Sequence, residues 1–582
     1  MNAADSVKFF QRTLKALYLV SILQLSGYLW PQQAQVPDGA TFNFIVVGAG
    51  SAGSVIATRL AEDQKTRVLL IEAGGNPPDE SLLAGSLIFL EKSHVDWNYT
   101  TEDDGHTTQC HKNHVEDLLL GKMLGGTSSL NYLMFSQGHY SDYNNWAKIV
   151  DDDNWSWPAV LPYFVKATNL HEASLLETPS KNYYGDQGPM GLTIDAHKHF
   201  NDIYLKAFEE AGNKIVRESN GNNTLGYAKA MYNIADGRRQ SSAYSYLRIS
   251  KDYPNLFVLK NTEAKKILFD NNENAVGVEV VTEDGKAMTF KSLNEIIVSC
   301  GTVKSPQLLM LSGIGPKEHL ESKGIKVIAD LPVGQNYHDH VTTILIHNMT
   351  KLEDKYQPRD PHEYPADTFV GYVNLDKAED YPMYSSLSWV NYSPFLVQFC
   401  AWTYGLNDEI CNAMFKSNTN PMVWTLLTNL LPKSRGEILL KSADYTDAPI
   451  VRTEYYSNKE DLENQVNYIE DFIRVTNTSS YISAGGEIVD PKLSCCAEYV
   501  FGTRDYWRCY ALCMMNTKRN YCGTNAMGSV VDSRLRVKGV NKLRVADASV
   551  IPNIPSGDIY APVVMIGEKI ADILKEDYKM QR

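Results

Sequence analysis

A glycine-rich turn between two apolar runs is the feature that most constrains how this chain folds. A β-branched apolar run ends at Gly48, and further glycines follow at Gly50 and Gly53. A second apolar run ends at Glu72, 24 residues after Gly48. Strand, turn, helix, strand and acid in this order predict a dinucleotide-binding α/β unit.

Each residue of this signature has a physical role. Gly48 permits the tight turn from strand to helix, Gly50 lets the backbone approach a pyrophosphate, and Gly53 lets the helix pack on the sheet. The start of the helix directs free N–H groups and the positive end of its dipole at the phosphates. Glu72 is expected to accept hydrogen bonds from ribose hydroxyls, which disfavours the 2′-phosphate of NADP. NAD and FAD remain as candidate cofactors.

The length and charge of the chain limit its domain count and its partners. With 582 residues, it exceeds the ~250–300 residues at which a single hydrophobic core stops growing, so we expect two domains. The formal net charge of −14 disfavours nucleic acid and anionic membranes, because both bind clustered Lys and Arg. The expected partner is a small-molecule substrate, and the oligomeric state is left open.

Residues 1–40 contain the one segment with features of a targeting signal. Basic residues precede an apolar run over 16–25. A run of this length matches the core of a signal peptide and is too short to span a bilayer, which needs ~20 residues. The alternative is an amphipathic helix that stays attached. A signal peptide would place the protein outside the cell or in the lumen of the secretory pathway.

Glycosylation sequons and cysteines are compatible with secretion. Asn-X-Ser/Thr sequons occur at Asn98, Asn154, Asn222, Asn348, Asn391 and Asn477. The nine cysteines match no zinc spacing, and we predict no metal site. One or two disulfides are expected among the cysteines near the C-terminus, with a pairing that the sequence leaves open. These cysteines are Cys495, Cys496, Cys509, Cys513 and Cys522.

Further ordered blocks follow the glycine signature. Residues 121–131 form a second cluster of glycines and hydroxyl side chains. Residues 301–316 have a proline near the start of a short helix and glycines after its end. Residues 331–340 form another ordered loop. Near the C-terminus, a strand over 543–552 reaches an acid and leads into an amphipathic helix over 561–574.

In this order and at this spacing, the blocks resemble the glucose–methanol–choline (GMC) oxidoreductase family, especially its insect branch, over 42–575. The resemblance implies FAD as the cofactor. It also implies a Rossmann-like α/β FAD-binding domain built from discontinuous segments, with an α+β substrate-binding domain that contains an antiparallel sheet. We expect the FAD-binding domain to comprise 41–150, 225–339 and 526–582, and the substrate-binding domain 151–224 and 340–525.

The resemblance also assigns residues to the cofactor. Those expected to hold the pyrophosphate and the adenosine are Gly48, Gly50, Ser51, Ala52, Gly53, Glu72, Ala73 and Ala264. Those expected beside the isoalloxazine ring and the ribityl chain are Gly125, Gly126, Thr127, Asn131, Asp547 and Ala548.

The positions that carry catalysis in the family are changed in this sequence. The family removes a hydroxyl proton with a histidine while a hydride passes to the flavin, and Asn520 occupies the place of that histidine. The second family motif has Asp558 and Tyr560 at its catalytic positions. An amide has no usable basicity near neutral pH, whereas a carboxylate can accept a proton. We therefore take Asn520, Tyr521, Asp558 and Tyr560 as the catalytic candidates, and we interpret His340 as structural.

Three functions are compatible with this pattern. The first is an FAD enzyme that oxidises the CH–OH group of a small, partly apolar alcohol with an atypical active site. The second is a flavoprotein that retains FAD but acts as a lyase, an isomerase, a cyclase or another non-oxidising enzyme. The third is a non-catalytic homologue. The aromatic residues between about 356 and 422 predict either an apolar substrate pocket or a packed domain core.

Overall fold

The computed structural model describes residues 29–194, 199–221, 224–351, 360–376, 379–391, 398–416 and 422–580. The apolar run that we interpret as a signal-peptide core lies outside these residues. Within them, we find no helix with the length and apolar character that crossing a bilayer requires.

A seven-stranded sheet forms the centre of the first domain. From edge to edge, six of its strands are Leu256–Leu259, Val68–Ile71, Thr41–Val47, Ala287–Val298, Ala275–Thr282 and Thr262–Phe269. The seventh, Leu543–Val545, pairs with Ala287–Val298. The first four strands and the seventh are parallel, whereas the remaining two are antiparallel. The parallel strands are nearly continuous apolar runs because helices or loops cover both of their faces.

Two helices from opposite ends of the chain pack together beside this sheet. Gly53–Ala61 follows the first strand, and Tyr560–Asp577 packs against it. At Gly567, an added Cβ would lie 3.0 Å from the Cβ of Val55, so only a glycine permits this separation without a shift. This arrangement confirms the predicted Rossmann-like domain of discontinuous segments.

A second seven-stranded sheet, entirely antiparallel, forms the other domain. Six of its strands, in order, are Gly486–Ile488, Val341–Met349, Met422–Asn429, Tyr384–Asn391, Thr368–Val373 and Gly226–Lys229. Met515–Thr517 pairs with Val341–Met349. Helices that include Lys459–Phe472 and Arg504–Cys513 pack on it around a separate apolar core. The predicted α+β domain with an antiparallel sheet is confirmed, although the strand Gly226–Lys229 belongs to this sheet and lies beyond the boundary that we expected at 225.

Shorter elements complete the two domains. The remaining α-helices are Tyr140–Val150, Trp157–Ala167, Ala173–Leu176, His199–Glu210, Arg248–Ser250, Gly301–Leu311, Lys317–Ser322, Asp408–Lys416 and Ser479–Ser483. The remaining strands form small sheets and ribbons. They are Tyr99–Thr100, Asp117–Leu118, Thr168–Leu170, Met190–Ile194, Met231–Tyr232, Ile234–Ala235, Arg238–Arg239, Ile314–Gly315, Ala329–Asp330, Gln335–Tyr337, Gly436–Leu439 and Ile450–Arg452.

Three disulfides connect parts of the chain. They join Cys110 to Cys513, Cys400 to Cys411 and Cys496 to Cys509. Cys300, Cys495 and Cys522 are free thiols. One bridge, Cys496 to Cys509, joins two of the late cysteines, within the expected one or two, and the other two bridges use earlier cysteines that the expectation did not include.

A buried ion-pair network connects the sheet of the first domain to its C-terminal helix. The guanidinium of Arg544 donates to both carboxylate oxygens of Glu295, at 2.6 and 2.8 Å, and to Asp577 at 2.6 Å. The Arg544 side chain is 1% exposed. Strands Ala287–Val298 and Leu543–Val545 are therefore held to the helix Tyr560–Asp577 by one side chain.

We expect Arg544→Met to destabilise the protein by about 3–5 kcal/mol, because Glu295 would remain buried without its partner. The measurement is the shift of the unfolding transition in guanidinium chloride. Arg452→Met is the matched control, since Arg452 also binds two carboxylates but is exposed with them. Arg452→Met should lower the free energy of unfolding by about 1 kcal/mol or less. Equal shifts for the two variants would show that the buried network does not stabilise the domain as we argue.

Candidate active site

A cavity of about 220 Å³ lies at the carboxyl edge of the parallel strands. Open α/β sheets bind their ligands at this edge. The lining also includes the loop before the C-terminal helix and the segment after strand Met515–Thr517. Most of its residues come from segments 47–52, 71–73, 126–134, 262–264, 299–304, 518–521, 547–548 and 558–560.

Most residues assigned to the cofactor from the sequence line this cavity. They are Gly48, Gly50, Ser51, Ala52, Glu72, Ala73, Gly126, Thr127, Asn131, Ala264, Asp547 and Ala548. Gly53 and Gly125 lie just behind the lining. A Cβ on Gly53 would be 1.9 Å from the carbonyl oxygen of Gly48, and the Gly125 N–H donates to the Ala49 carbonyl at 2.7 Å.

The two glycine loops approach each other too closely for side chains. Gly48 has a φ of +99°, and an added Cβ would lie 2.4 Å from the Ser299 carbonyl oxygen. Gly126 has a φ of +53°, and its Cβ would lie 2.8 Å from the Cα of Gly50. The backbone itself therefore forms the cavity wall here, which is the kind of surface that accepts a pyrophosphate.

Two backbone N–H groups fix the position of the Glu72 carboxylate, which follows the strand Val68–Ile71. Its oxygens accept from the N–H of Ala49 and the N–H of Gly74, each at 2.9 Å. Burial raises the pKa of Glu72 to about 7, although these two hydrogen bonds favour the ionised form. Each oxygen still has a lone pair for a ligand hydroxyl. These features fit the adenosine ribose of FAD.

Asp547 holds together two of the elements that border the cavity. Its Oδ2 accepts from the Gly301 N–H at 2.8 Å and from the Ser305 hydroxyl at 2.5 Å. Its Oδ1 accepts from the Ser549 N–H at 2.8 Å. The carboxylate thus lies at the N-terminus of helix Gly301–Leu311, where the helix dipole favours an anion.

The carboxylate of Asp339 determines the path of the segment that enters the cavity from the second domain. It accepts from the hydroxyl of Thr517 and, at 2.8 Å, from the N–H of Asn520. Between them, Arg519 has a φ of +65°. This left-handed residue turns the chain so that residues 518–521 all line the cavity. Burial raises the pKa of Asp339 to about 6, and its hydrogen bonds oppose that rise.

Four side chains form a continuous row next to the cavity. The Nδ1 of His340 is 3.0 Å from the Oδ1 of Asn520. The Nδ2 of Asn520 donates to the Oδ1 of Asp558 at 3.4 Å, and the Oδ2 of Asp558 is 3.5 Å from the Nζ of Lys518. The row brings together two catalytic candidates, Asn520 and Asp558, which are separated by 38 residues in the chain.

His340 determines the orientation of the Asn520 amide. Burial, and then the nearby Lys518 cation, lower the pKa of His340 to about 4, so its ring is neutral near neutral pH. Because an amide oxygen only accepts, the Nδ1 of His340 carries the proton of this hydrogen bond. The Nδ2 of Asn520 is thereby directed to Asp558. His340 itself is not part of the lining, and its structural role stays a prediction.

A second buried ion pair borders the same part of the cavity. The guanidinium of Arg519 contacts Glu91 at 2.8 Å and the Thr403 carbonyl at 2.8 Å. Tyr132 also binds Glu91, and its ring lies 5.3 Å from the Arg519 guanidinium carbon. Sequence reasoning missed Glu91, Arg519 and Lys518, although Lys518 and Arg519 are the two residues that precede Asn520 in the chain.

The two tyrosine candidates line the cavity but have other contacts. The hydroxyl of Tyr560 donates to the Gln240 carbonyl at 2.9 Å, and burial raises the pKa of Tyr560 to about 12. Tyr521 stacks on Tyr337 with ring centroids 6.2 Å apart, and burial raises the pKa of Tyr521 well above its usual value. Neither phenol is set up as a proton acceptor near neutral pH.

Most of the described aromatic residues between 356 and 422 belong to the domain core. Tyr384 and Trp389 are buried in the apolar cluster of the antiparallel sheet, and Trp402 is largely exposed. The cavity lining includes no aromatic from the described part of this segment. Tyr392 and Phe395 lie outside the described residues. The apolar part of the lining instead includes Tyr132, Leu133, Met134 and Ile559.

Comparisons with known proteins agree with this geometry. The family models described as GMC oxidoreductase match residues 42–342 and 432–567. An ecdysone oxidase from Bombyx mori is 35% identical over 579 residues, covering 96% of this chain and 85% of that protein. A glucose dehydrogenase [FAD, quinone] from Drosophila melanogaster is 32% identical over 563 residues, covering 92% and 87% of the two chains.

A solved structure has the same architecture. A formate oxidase from Aspergillus oryzae RIB40 superposes with a TM-score of 0.80 and 26% identity, covering 94% of this chain and all of the other. Family models and relatives thus both span most of the sequence. The chain belongs to the GMC oxidoreductase family, whose cofactor is FAD.

Proposed function

We propose that the protein oxidises the CH–OH group of an uncharged, partly apolar alcohol with FAD. The observation that carries this proposal is the row of Asn520, Asp558 and Lys518, which presents a carboxylate and two hydrogen-bond donors to the cofactor cavity. Oxidation of an alcohol needs such a proton acceptor at the reacting hydroxyl.

The glycine loops and Glu72 would hold the FAD. The backbone of residues 48–53 and 125–127 would bind the pyrophosphate and flank the isoalloxazine ring, with Asn131 beside the ring. Glu72 and Ala73 would contact the adenosine ribose, Ala264 the adenine, and Asp547 and Ala548 the ribityl region. Bound FAD supplies the acceptor for the hydride of the substrate carbon.

Asp558 is the proton acceptor in this proposal. Its side chain is 21% exposed, so a substrate hydroxyl can reach it from the cavity. Asn520, with its oxygen occupied by His340, can only donate to a substrate oxygen or to Asp558. The amide therefore positions the carboxylate rather than replacing the missing imidazole base.

The charges that border the cavity support an uncharged substrate. Lys518 is paired with Asp558, and Arg519 is paired with Glu91. A charged substrate would have to compete with these internal pairs after losing its own hydration. The nearby side chains of Leu133, Met134 and Ile559 favour a partly apolar molecule. Ecdysone and glucose are the first substrates to test, because they appear in the names of relatives.

We also propose that the protein enters the secretory pathway. Three disulfides favour an oxidising compartment. The sequons at Asn98, Asn154 and Asn477 are exposed and can accept a glycan, whereas Asn348 is buried in the central strand Val341–Met349.

The decisive experiment is anaerobic mixing of the FAD-loaded protein with ecdysone, glucose and a panel of simple alcohols. We expect at least one of them to bleach the visible flavin absorbance. Asp558→Asn should slow that bleaching by about 10²–10⁴-fold, because the amide cannot accept the proton. Asp252→Asn is the control and should leave the rate unchanged. Asp252 is an exposed acid, and its Oδ2 is 3.9 Å from the Nζ of Lys251.

Asn520→His tests whether the usual base can act in this cavity. If an imidazole at this position shares the proton-accepting role with Asp558, bleaching should accelerate by about tenfold or more. A flavin that stays oxidised with every alcohol, in both wild type and this variant, would contradict the proposal. That outcome would favour a non-oxidising FAD enzyme or a non-catalytic homologue.

Two glycine variants separate cofactor binding from folding. In Gly50→Ala, the nearest atom to the new Cβ is the carbonyl oxygen of Ser299, at 3.8 Å, so the added methyl group causes no clash. The apoprotein should therefore fold normally but bind FAD about tenfold more weakly, a difference of about 1.4 kcal/mol. Gly48→Ala should instead destabilise the fold by about 1–3 kcal/mol, because Gly48 has a left-handed φ and a close backbone neighbour. FAD titration and apoprotein unfolding measure the two effects, and normal FAD affinity in Gly50→Ala would refute the assigned contact.

A further inference from the structure

Lys518 is a buried cation beside the cavity with unused hydrogen-bonding capacity. Its side chain is 5% exposed, and its Nζ is 3.5 Å from the Oδ2 of Asp558. Within the described part of the chain, Asp558 is the one ion-pair partner of this ammonium group. A lysine ammonium has three N–H donors. At least two donors therefore remain for a ligand in the cavity that Lys518 lines.

The backbone fixes the place of this ammonium. The N–H of Lys518 donates to the His340 carbonyl at 2.9 Å, and the hydroxyl of Thr517, next in the chain, is bound to Asp339. Arg519 follows in a left-handed conformation. The backbone on both sides of Lys518 is therefore fixed. Its side chain extends from the second domain towards the loop that carries Asp558.

We propose that Lys518 is a catalytic residue that binds the substrate oxygen, so that Asp558 and Lys518 act together as a base and a cation. This inference rests on the proposed alcohol oxidation. It identifies an oxygen-binding subsite for the hydroxyl of the alcohol and for the carbonyl oxygen of the product, with Lys518 as donor.

The proposed step is balanced. The substrate O–H bond breaks, and its proton moves to a carboxylate oxygen of Asp558. The C–H bond of the same carbon breaks, and its electron pair leaves with the hydrogen as a hydride, for which FAD held by the glycine loops would be the acceptor. A carbon–oxygen double bond forms, and Lys518 keeps all of its protons while it donates a hydrogen bond to the oxygen.

The charge on the pair changes in the direction that the reaction needs. Before the step, the Lys518 ammonium and the Asp558 carboxylate sum to zero. After the proton has moved, Asp558 is neutral and Lys518 leaves one uncompensated positive charge. This charge appears when the hydride brings negative charge into the same cavity. An interaction that strengthens during the step lowers the barrier, whereas one present throughout does not.

An anion titration tests the subsite without any turnover. In FAD-loaded Asp558→Ala, the ammonium of Lys518 loses its carboxylate, and we expect added acetate to take its place. Acetate should then perturb the visible flavin spectrum, with a dissociation constant at least tenfold lower than in wild type. In the double variant Asp558→Ala with Lys518→Met, this binding should be lost. Asp558→Asn, which keeps the side-chain size, serves if the alanine variant loads FAD poorly.

The kinetic test uses the bleaching rate at saturating alcohol. Lys518→Met should slow bleaching at least tenfold, because the substrate oxygen loses the charged donor that is 3.5 Å from Asp558. Lys518→Arg, which keeps the positive charge, should retain most of the wild-type rate. Lys433→Met is the control for loss of one positive charge, because Lys433 forms an exposed pair with Glu460.

The two tests separate this inference from the proposed function. If no alcohol bleaches the flavin but acetate binding depends on Lys518, the oxidation fails and the oxygen-binding subsite stands. If alcohols do bleach it while acetate binds equally well with and without Lys518, the subsite is refuted. An unchanged bleaching rate in Lys518→Met would likewise show that Lys518 does not act with Asp558.

Discussion

The parallel pairing of strands Thr41–Val47, Ala287–Val298 and Leu543–Val545 determines where the cofactor loops and the loop with Asp558 lie. These strands are far apart in the chain, yet their carboxyl ends meet at one edge of the sheet. The loops that follow them therefore border a single cavity. The Arg544 network then holds the last strand and the C-terminal helix in place, and with them the loop that presents Asp558. A fault in this pairing would separate the cofactor loops from the loop that presents Asp558.

Buried ionisable groups around the site are stabilised in two different ways. Asp339 and Glu116 lie behind the catalytic segment and accept from neutral donors, and burial raises their pKa values to about 6 and about 8. A carboxyl group that binds a proton is neutral, so its burial costs little desolvation free energy. Such acids suit a structural role. Lys518 faces the cavity instead and is paired with a carboxylate. A buried pair of opposite charges is costly to desolvate, and its retention is more easily explained by chemistry than by stability.

The sequence predicted the parts of the site that depend on local constraints. Gly48 and Gly53 are required by the turn and by helix packing within a few residues, so their spacing alone identifies them. The row of His340, Asn520, Asp558 and Lys518 depends instead on contacts between distant segments, for which the sequence has no local signal. The aromatic run could not be assigned for the same reason, because core and pocket aromatics follow one pattern until the sheet faces are known.

The row also offers a substitute for the base that the resemblance to the family predicts at position 520. A neutral imidazole that accepts the hydroxyl proton changes its charge from zero to plus one. In the proposed step, the pair of Asp558 and Lys518 changes from zero to plus one as well, because Asp558 takes the proton and Lys518 stays charged. In the proposed step, the net charge of the catalytic groups therefore changes by plus one with the Asp558–Lys518 pair, as it would with a histidine base. Asn520 contributes no charge, and its role is to connect the neutral His340 to Asp558, so that the carboxylate keeps its place beside the cation.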